Sequence, residues 1–376
     1  MSPADHLLFG RVLAPDDLGM NVVAISGDRI ASIEPANEPP DGARAVPVIV
    51  PGFIDIQLNG AFGEDFSDPT ADLGVVCRSL PQFGVTSFLP TVVSSPPDRY
   101  GPCLSNLSRA AHPGEARILG VHLEGPFINP SHAGTHDRDV LRPPDRDEAL
   151  AWLDGDVRVI TLAPELPGSL ELIAELSSMG LVVAGGHSGA TWTQAELAAH
   201  AGLRLGTHIF NAMRPVHHRE PGIAGFLLAS EIPVSVIADG RHLALETLKL
   251  LTAVKEGGLI AITDAVAGLG EPPGESFLGG RRVVSDGTVA MLPDGTLSGS
   301  VLPLSRMVAN LIGVGMTPAA AVRAASAAPA ELLGMSREIG EVRVGGRADL
   351  VVLDAEWRPL TTYVGGTIAW RDQARS

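Results

Sequence analysis

The sequence predicts an α/β fold, a (β/α)₈ TIM-like barrel carrying a small β-sandwich domain formed by both chain termini. Three observations lead there. The middle of the chain repeats the order apolar strand, loop and amphipathic helix eight times; six of those eight strands end in a polar or metal-capable residue; and both chain ends carry short strand-like runs. Barrel chemistry sits at the C-terminal ends of the strands, so the second observation favours a closed barrel over an open doubly wound sheet. Random scatter would rarely produce it.

The elements follow in order. Val22–Ile25, a turn at Ser26-Gly27-Asp28, and Arg29–Ile33 read as a hairpin. Barrel strands are expected at Phe53–Leu58, Thr86–Pro90, Ile118–Leu123, Val157–Leu162, Leu181–Gly186, Leu203–His208, Val234–Ala238 and Leu259–Thr263. Helical periodicity falls between them, as in Ser169–Ser178, Thr193–Ala201 and Leu243–Lys255. Arg281–Leu297, with turns at Asp286-Gly287 and Asp294-Gly295, looks like a hairpin inserted after the eighth strand. Ala348–Asp354 and Tyr363–Ile368 again read as strands. The expected domains are residues 1–50 plus 341–376 for the sandwich and 51–340 for the barrel, with the insertion near 276–300.

Composition narrows the field. A chain of 376 residues holds one barrel, which needs about 250 residues, and a satellite domain. With 43 acidic against 27 basic residues the net charge is −16, which argues against a nucleic-acid partner. An anionic small substrate remains compatible, because one Arg or His can reverse the field locally. Two cysteines, Cys77 and Cys103, are too few for a disulfide framework or a thiolate metal site. No signal peptide is apparent in Met1–Leu13, and no stretch reaches the roughly 18 apolar residues of a membrane span. A cytoplasmic protein without a membrane partner is expected.

The strand ends carry Gln57 and Asn59, Glu124, His187, His208, Asp239 and Asp264. A carboxylate ending an apolar strand needs a partner, since burying a lone charge is costly. For Glu124 that partner could be an Arg. Two imidazoles at the mouths of consecutive strands point instead to a shared ion, with Zn²⁺ or Fe²⁺ suiting the donors and a position left for water. His122, two residues before Glu124, lies deeper on the same face and reads as structural. Asp264 could cap a helix, or take a proton from water and return it to a departing amine. The only lysines, Lys249 and Lys255, lie in one helical segment, so no strand-end Lys can bridge two metals. Gln57 and Asn59 stand where a two-metal site would want His, and suit sugar hydroxyls better. One ion is expected. Arg219 and His242 could bind an anion, though an Arg after His217-His218 is equally an ordinary solvated side chain.

Several stretches resemble the N-acetylglucosamine-6-phosphate deacetylases of the amidohydrolase superfamily. They are Pro51–Gly60, His122–Phe127, Gly134–His136, Gly186–Ser188, Thr207–Met213, Ala238–Gly240, Thr263–Ala265 and Leu297–Ser300, in family order over nearly the whole chain. The resemblance implies hydrolysis of the N-acetyl group of N-acetyl-D-glucosamine 6-phosphate to D-glucosamine 6-phosphate and acetate, in amino-sugar catabolism and cell-wall recycling. It implies one divalent ion per subunit, most simply Zn²⁺, on Glu124, His187 and His208. Asp264 matches the catalytic acid/base, and His136 the group that steadies the carbonyl oxygen. Asn211, Ala212, Arg219 and His242 match residues around the sugar phosphate, and Leu297, Ser298 and Gly299 a loop over the substrate. Gln57 and Asn59 occupy the replaced metal positions. A homodimer is implied, with Arg219 reaching the neighbouring subunit's site. The loop Asn129–Ala133 does not align with the family pattern, and its His132 reads as a bystander. An N-acetylgalactosamine 6-phosphate deacetylase, or one for another N-acyl amino sugar, stays open, because an epimer changes only a hydrogen bond or two. A cyclic-amide hydrolase, a nucleobase deaminase and a sugar-phosphate sensor fit the residues less well.

Overall fold

The computed structural model describes residues 4–108, 112–153 and 156–375. Four strands begin it: β1 (His6–Ala14), β2 (Asp16–Ser26), β3 (Arg29–Pro35) and β4 (Arg44–Pro51). β2 and β3 form the expected hairpin, antiparallel from Asn21↔Pro35 to Ser26↔Arg29. Gly27 turns it at φ 58°, a conformation that costs glycine little.

Eight strands then build the barrel: β5 (Phe53–Leu58), β6 (Val85–Val93), β7 (Val121–Glu124), β8 (Val157–Leu162), β9 (Val182–Gly185), β10 (Leu203–Gly206), β11 (Val234–Ile237) and β12 (Leu259–Ile262). Neighbours pair in parallel throughout. A helix follows each strand, from Leu73–Ser79 after β5 to Leu304–Gly313 after β12. Every residue of β5 and β6 is buried, because helices cover one face and barrel side chains fill the other. The ring closes at its mouth: the Asp264 N–H donates to Gln57 O at 2.9 Å and the Asn59 N–H to Ala265 O at 2.8 Å.

Several strand bounds differ from expectation, β6 running on to Val93 instead of ending at Pro90, and three of them for clear local reasons. The third strand is split into Arg117–Ile118 and Val121–Glu124. Gly120 separates them at φ 131°, where a Cβ would lie 2.3 Å from Arg158 Cγ. β9 and β10 stop at Gly185 and Gly206, so His187 and His208 lie beyond them in left-handed backbone, at φ 48° and 28°. After β12 the chain forms three antiparallel strands: β13 (Gly274–Leu278), β14 (Arg281–Ser285) and β15 (Ala290–Met291).

The chain end returns to the first sheet as β16 (Leu350–Leu353), β17 (Pro359–Val364) and β18 (Thr367–Arg371). β16 pairs with β4, giving one seven-stranded sheet ordered β18-β17-β16-β4-β1-β2-β3. Strand alternation divides its two faces. Val12, Ile49, Leu350 and Val352 enclose the sheet's own core, whereas Leu13, Val50, Val351 and Leu353 join the barrel core. Arg117 of the barrel forms an ion pair with Asp349, just ahead of β16, and the Thr362 hydroxyl donates to Pro81 O at 2.7 Å. No helix among the described residues is long and apolar enough to cross a membrane. Replacing Asp349 with Ala strands a largely buried guanidinium, so thermal unfolding of Asp349→Ala should show a loss of about 3 kcal/mol. An unchanged midpoint would mean the pair contributes nothing to docking the sheet.

Candidate active site

The mouth of the barrel holds a cavity of about 270 Å³. Its walls include Asn59, Glu124, His136, His187, His208, Asn211, Ala212, His242, Asp264, Leu297 and Gly299. The geometry centres on Glu124, buried at the end of β7. Its Oε1 receives Gln57 Nε2 at 2.9 Å and faces His208 Nε2 at 2.9 Å and His187 Nε2 at 3.2 Å. The two imidazole Nε2 atoms stand 3.1 Å apart. His136 Nε2 lies 3.7 Å from the other carboxylate oxygen. Burial pushes the Glu124 carboxyl up, but hydrogen bonds from His136, His187 and His208 outweigh it and hold the group well below the usual carboxylate range. No Arg pairs with Glu124 among the described residues.

Second contacts set the imidazole tautomers. His187 Nδ1 lies 2.9 Å from the His132 carbonyl, which can only accept. Nδ1 is therefore the donor to that carbonyl, and Nε2 is the nitrogen turned toward Glu124 and His208. His136 is the reverse case. Its Nδ1 accepts the Ser94 main-chain N–H at 3.2 Å and lies 2.7 Å from the Ser94 hydroxyl. Burial, with His187 nearby, pushes His136 down to about 4, so at neutral pH the ring is uncharged and carries its proton on Nε2, toward the cavity.

Asp264 Oδ1 accepts from Asn59 Nδ2 at 2.8 Å and Gln57 Nε2 at 3.2 Å. It caps no helix. Burial and the Glu124 charge push its carboxyl up to about 6. His187, His208, Ala212 and Asp264 all have positive φ, between 28° and 49°. Such backbone costs about 1–3 kcal/mol per residue and persists only where surroundings impose it; here it gathers at one mouth. Across the cavity His242 Nδ1 bonds Asp239 Oδ2 at 2.7 Å. Burial would raise Asp239, but His242 and two main-chain N–H groups keep it lowered.

Other candidates lie elsewhere. Gln57 is buried against the two carboxylates and is not part of the cavity wall. Ser298 is fully buried between Leu297 and Gly299, its N–H bonded to Ala290 O at 2.9 Å. Arg219 is exposed, outside the cavity, and bonds His218 at 2.8 Å. His122 is satisfied by Ile56 O at 3.0 Å and Thr161 Oγ1 at 2.8 Å, and burial pushes it down to about 4. The His132 carbonyl orients His187, a main-chain role that does not involve its imidazole. The sequence reading missed Ser94 and Glu165. They stand just past β6 and β8, the two strands whose ends showed no obvious chemistry. Scanning three or four residues beyond the expected ends at Pro90 and Leu162 would have found both.

A buried Glu/His/His cluster at the mouth of a parallel barrel, with a carboxylate opposite, can hold a divalent ion and suits hydrolytic chemistry. Residues 48–369 match the amidohydrolase family, and the chain belongs to it. Within that family it falls among the N-acetylglucosamine-6-phosphate deacetylases. It is 40% identical to that enzyme of Homo sapiens over 384 residues, covering 97% of this chain and 91% of the relative. A structure of a mutant N-acetyl-D-glucosamine-6-phosphate deacetylase from Mycobacterium smegmatis, in complex with N-acetyl-D-glucosamine-6-phosphate, superposes with TM-score 0.91 at 32% identity, covering 97% of this chain and 99% of that one. An N-acetylgalactosamine-6-phosphate deacetylase of Escherichia coli O157:H7 is 32% identical, covering 97% and 99%.

Beneath the site, Asp55 accepts from the Thr263 hydroxyl at 2.5 Å and is fully buried. Burial pushes its carboxyl up to about 7, against opposing hydrogen bonds from Thr263 and Gln57. The folded chain thus keeps this proton to about pH 7, while the unfolded chain releases it near pH 4. Stability associated with the neutral acid is complete below pH 4 and is lost as pH rises to 7. Asp55→Asn removes that loss. Its thermal midpoint relative to the parent should be higher at pH 8 than at pH 5; equal differences at both would place the Asp55 proton elsewhere.

Proposed function

We propose that the chain hydrolyses the N-acetyl group of N-acetyl-D-glucosamine 6-phosphate, releasing acetate and D-glucosamine 6-phosphate. One observation carries the reading: a neutral N–H donor, His136, and a carboxylate near neutrality, Asp264, face the same three-donor cluster in one cavity. Glu124, His187 and His208 are the ion's ligands. Their donor atoms lie 2.9–3.2 Å apart, close to the separation of about 3.3 Å that tetrahedral ligands at about 2.0–2.1 Å would have. His136 could complete an alternative set with Glu124 and His187. Its Nε2, however, carries a proton and offers no lone pair. One Zn²⁺ is the best fit to two imidazoles and a carboxylate.

Such an ion, when bound, supplies Lewis acidity that acidifies water and polarises a carbonyl. The side chains do the rest. Asp264 accepts a proton from the attacking water, helped by a carboxyl raised to about 6. His136 donates its Nε2–H to the amide oxygen as charge develops there. When the C–N bond breaks, Asp264 returns the proton to the leaving amine. Asn59 fixes Asp264 while lining the wall, and Asn211, Ala212 and His242 stand where the sugar phosphate would lie. Leu297 and Gly299 close over it, with Ser298 shaping that turn from behind.

Arg219 is exposed and outside the cavity wall of its own chain, a position compatible with a homodimer in which it reaches a neighbour's phosphate. Buried Cys77 and Cys103 are compatible with a reducing cytoplasm. The terminal sheet, residues 1–50 and 341–376, is read as a satellite domain bracing the barrel 51–340.

Three experiments test this reading. Asp264→Asn should lower kcat by at least about 10²-fold while substrate still binds; a variant keeping parental turnover removes Asp264 from the mechanism. Elemental analysis should find one divalent ion per chain, and stripping it with a chelator should abolish deacetylation. Comparing kcat/KM on the two epimeric phosphates settles specificity: faster turnover of the galacto epimer replaces the substrate named here.

A further inference from the structure

Glu165 lies three residues past β8 and is not part of the cavity wall. Its carboxylate nevertheless collects three donors. Oε1 accepts the Gly189 N–H at 2.6 Å and Asn129 Nδ2 at 2.8 Å, and Oε2 accepts the Ser188 hydroxyl at 2.6 Å. Two of these donors directly follow His187. The third begins the turn 129–132, where the Asn129 N–H donates to His187 O at 3.0 Å and the His132 carbonyl receives His187 Nδ1. One carboxylate therefore ties together both segments that grip His187. That grip matters because His187 sits at φ 48° and would relax if either segment drifted.

We infer that Glu165 is a positioning residue for the ion site: it holds His187 in the backbone and tautomer that aim the Nε2 lone pair at the ion. Groups that orient a metal-bound imidazole through its other nitrogen typically change metal affinity 10- to 100-fold when removed. Glu165 acts one contact further out, through the carbonyl of His132 and the backbone of His187. The inference rests on the ion-binding reading above.

The test measures Zn²⁺ affinity of the full chain by competition with a chromophoric chelator. Glu165→Ala should bind Zn²⁺ about 10- to 100-fold more weakly than the parent. Glu165→Gln should stay near the parent, because its carbonyl still receives Asn129 and Gly189 and its amide can donate to the Ser188 hydroxyl. At saturating Zn²⁺ the KM of Glu165→Ala should match the parent's, since the loosened ring touches the ion and not the sugar phosphate. Parental Zn²⁺ affinity in Glu165→Ala overturns the inference and leaves the ion site standing. So does a Glu165→Gln variant that loses as much affinity as Glu165→Ala. A parent chain that binds no divalent ion overturns both readings. Should Glu165→Ala fail to fold, Ser188→Ala decides: weakened Zn²⁺ binding supports the role, and parental affinity ends it.

Discussion

The structure turns on one buried carboxylate. Glu124 ends β7 inside the barrel mouth, where an unpaired charge would cost several kcal/mol. Its surroundings are arranged to meet that cost. Gln57 reaches it from β5, and His187 and His208 from beyond β9 and β10. Those groups come from positions 57, 124, 187 and 208, and only closure of the parallel ring brings them within hydrogen-bond range. The donors that satisfy the carboxylate are the ones a cation would need. Fold stability and chemistry therefore share the same atoms.

Hydrogen bonds to Nδ1 do most of the chemical sorting. His187 and His136 lie close together, with ring centres 4.5 Å apart, yet use Nδ1 in opposite ways, as donor in one and acceptor in the other. A carbonyl acceptor beside one and a main-chain N–H donor beside the other impose the difference. One ring can thereby offer Nε2 to an ion, and its neighbour an Nε2–H to an oxygen. The strained φ values at His187, His208, Ala212 and Asp264 belong to the same arrangement. Strands that stop early let these side chains swing across the mouth rather than continue along the barrel wall.

Much of this was legible in the chain. The barrel strands declared themselves because parallel strands covered on both faces must be apolar without interruption, and the helix Ser169–Ser178 was read to the residue. Glu124, His187, His208 and Asp264 stood out because charged or metal-capable groups seldom follow apolar runs. The strand Gly274–Leu278 escaped notice because its pattern is mostly exposed and polar. Ser94 and Glu165 escaped because Ser and Glu near a loop carry no mark of function.

Residue types and their order along the chain determined the barrel, the joining of its two ends and the donor chemistry at the strand mouths, since burial and periodicity are local properties of sequence. Only the tertiary structure decided how each imidazole uses its Nδ1, that Gln57 braces the carboxylates from behind instead of facing the cavity, and that Arg219 lies exposed and outside the cavity wall. Those outcomes depend on carbonyls, N–H groups and surfaces contributed by distant segments. Side-chain identity along one strand holds no record of them.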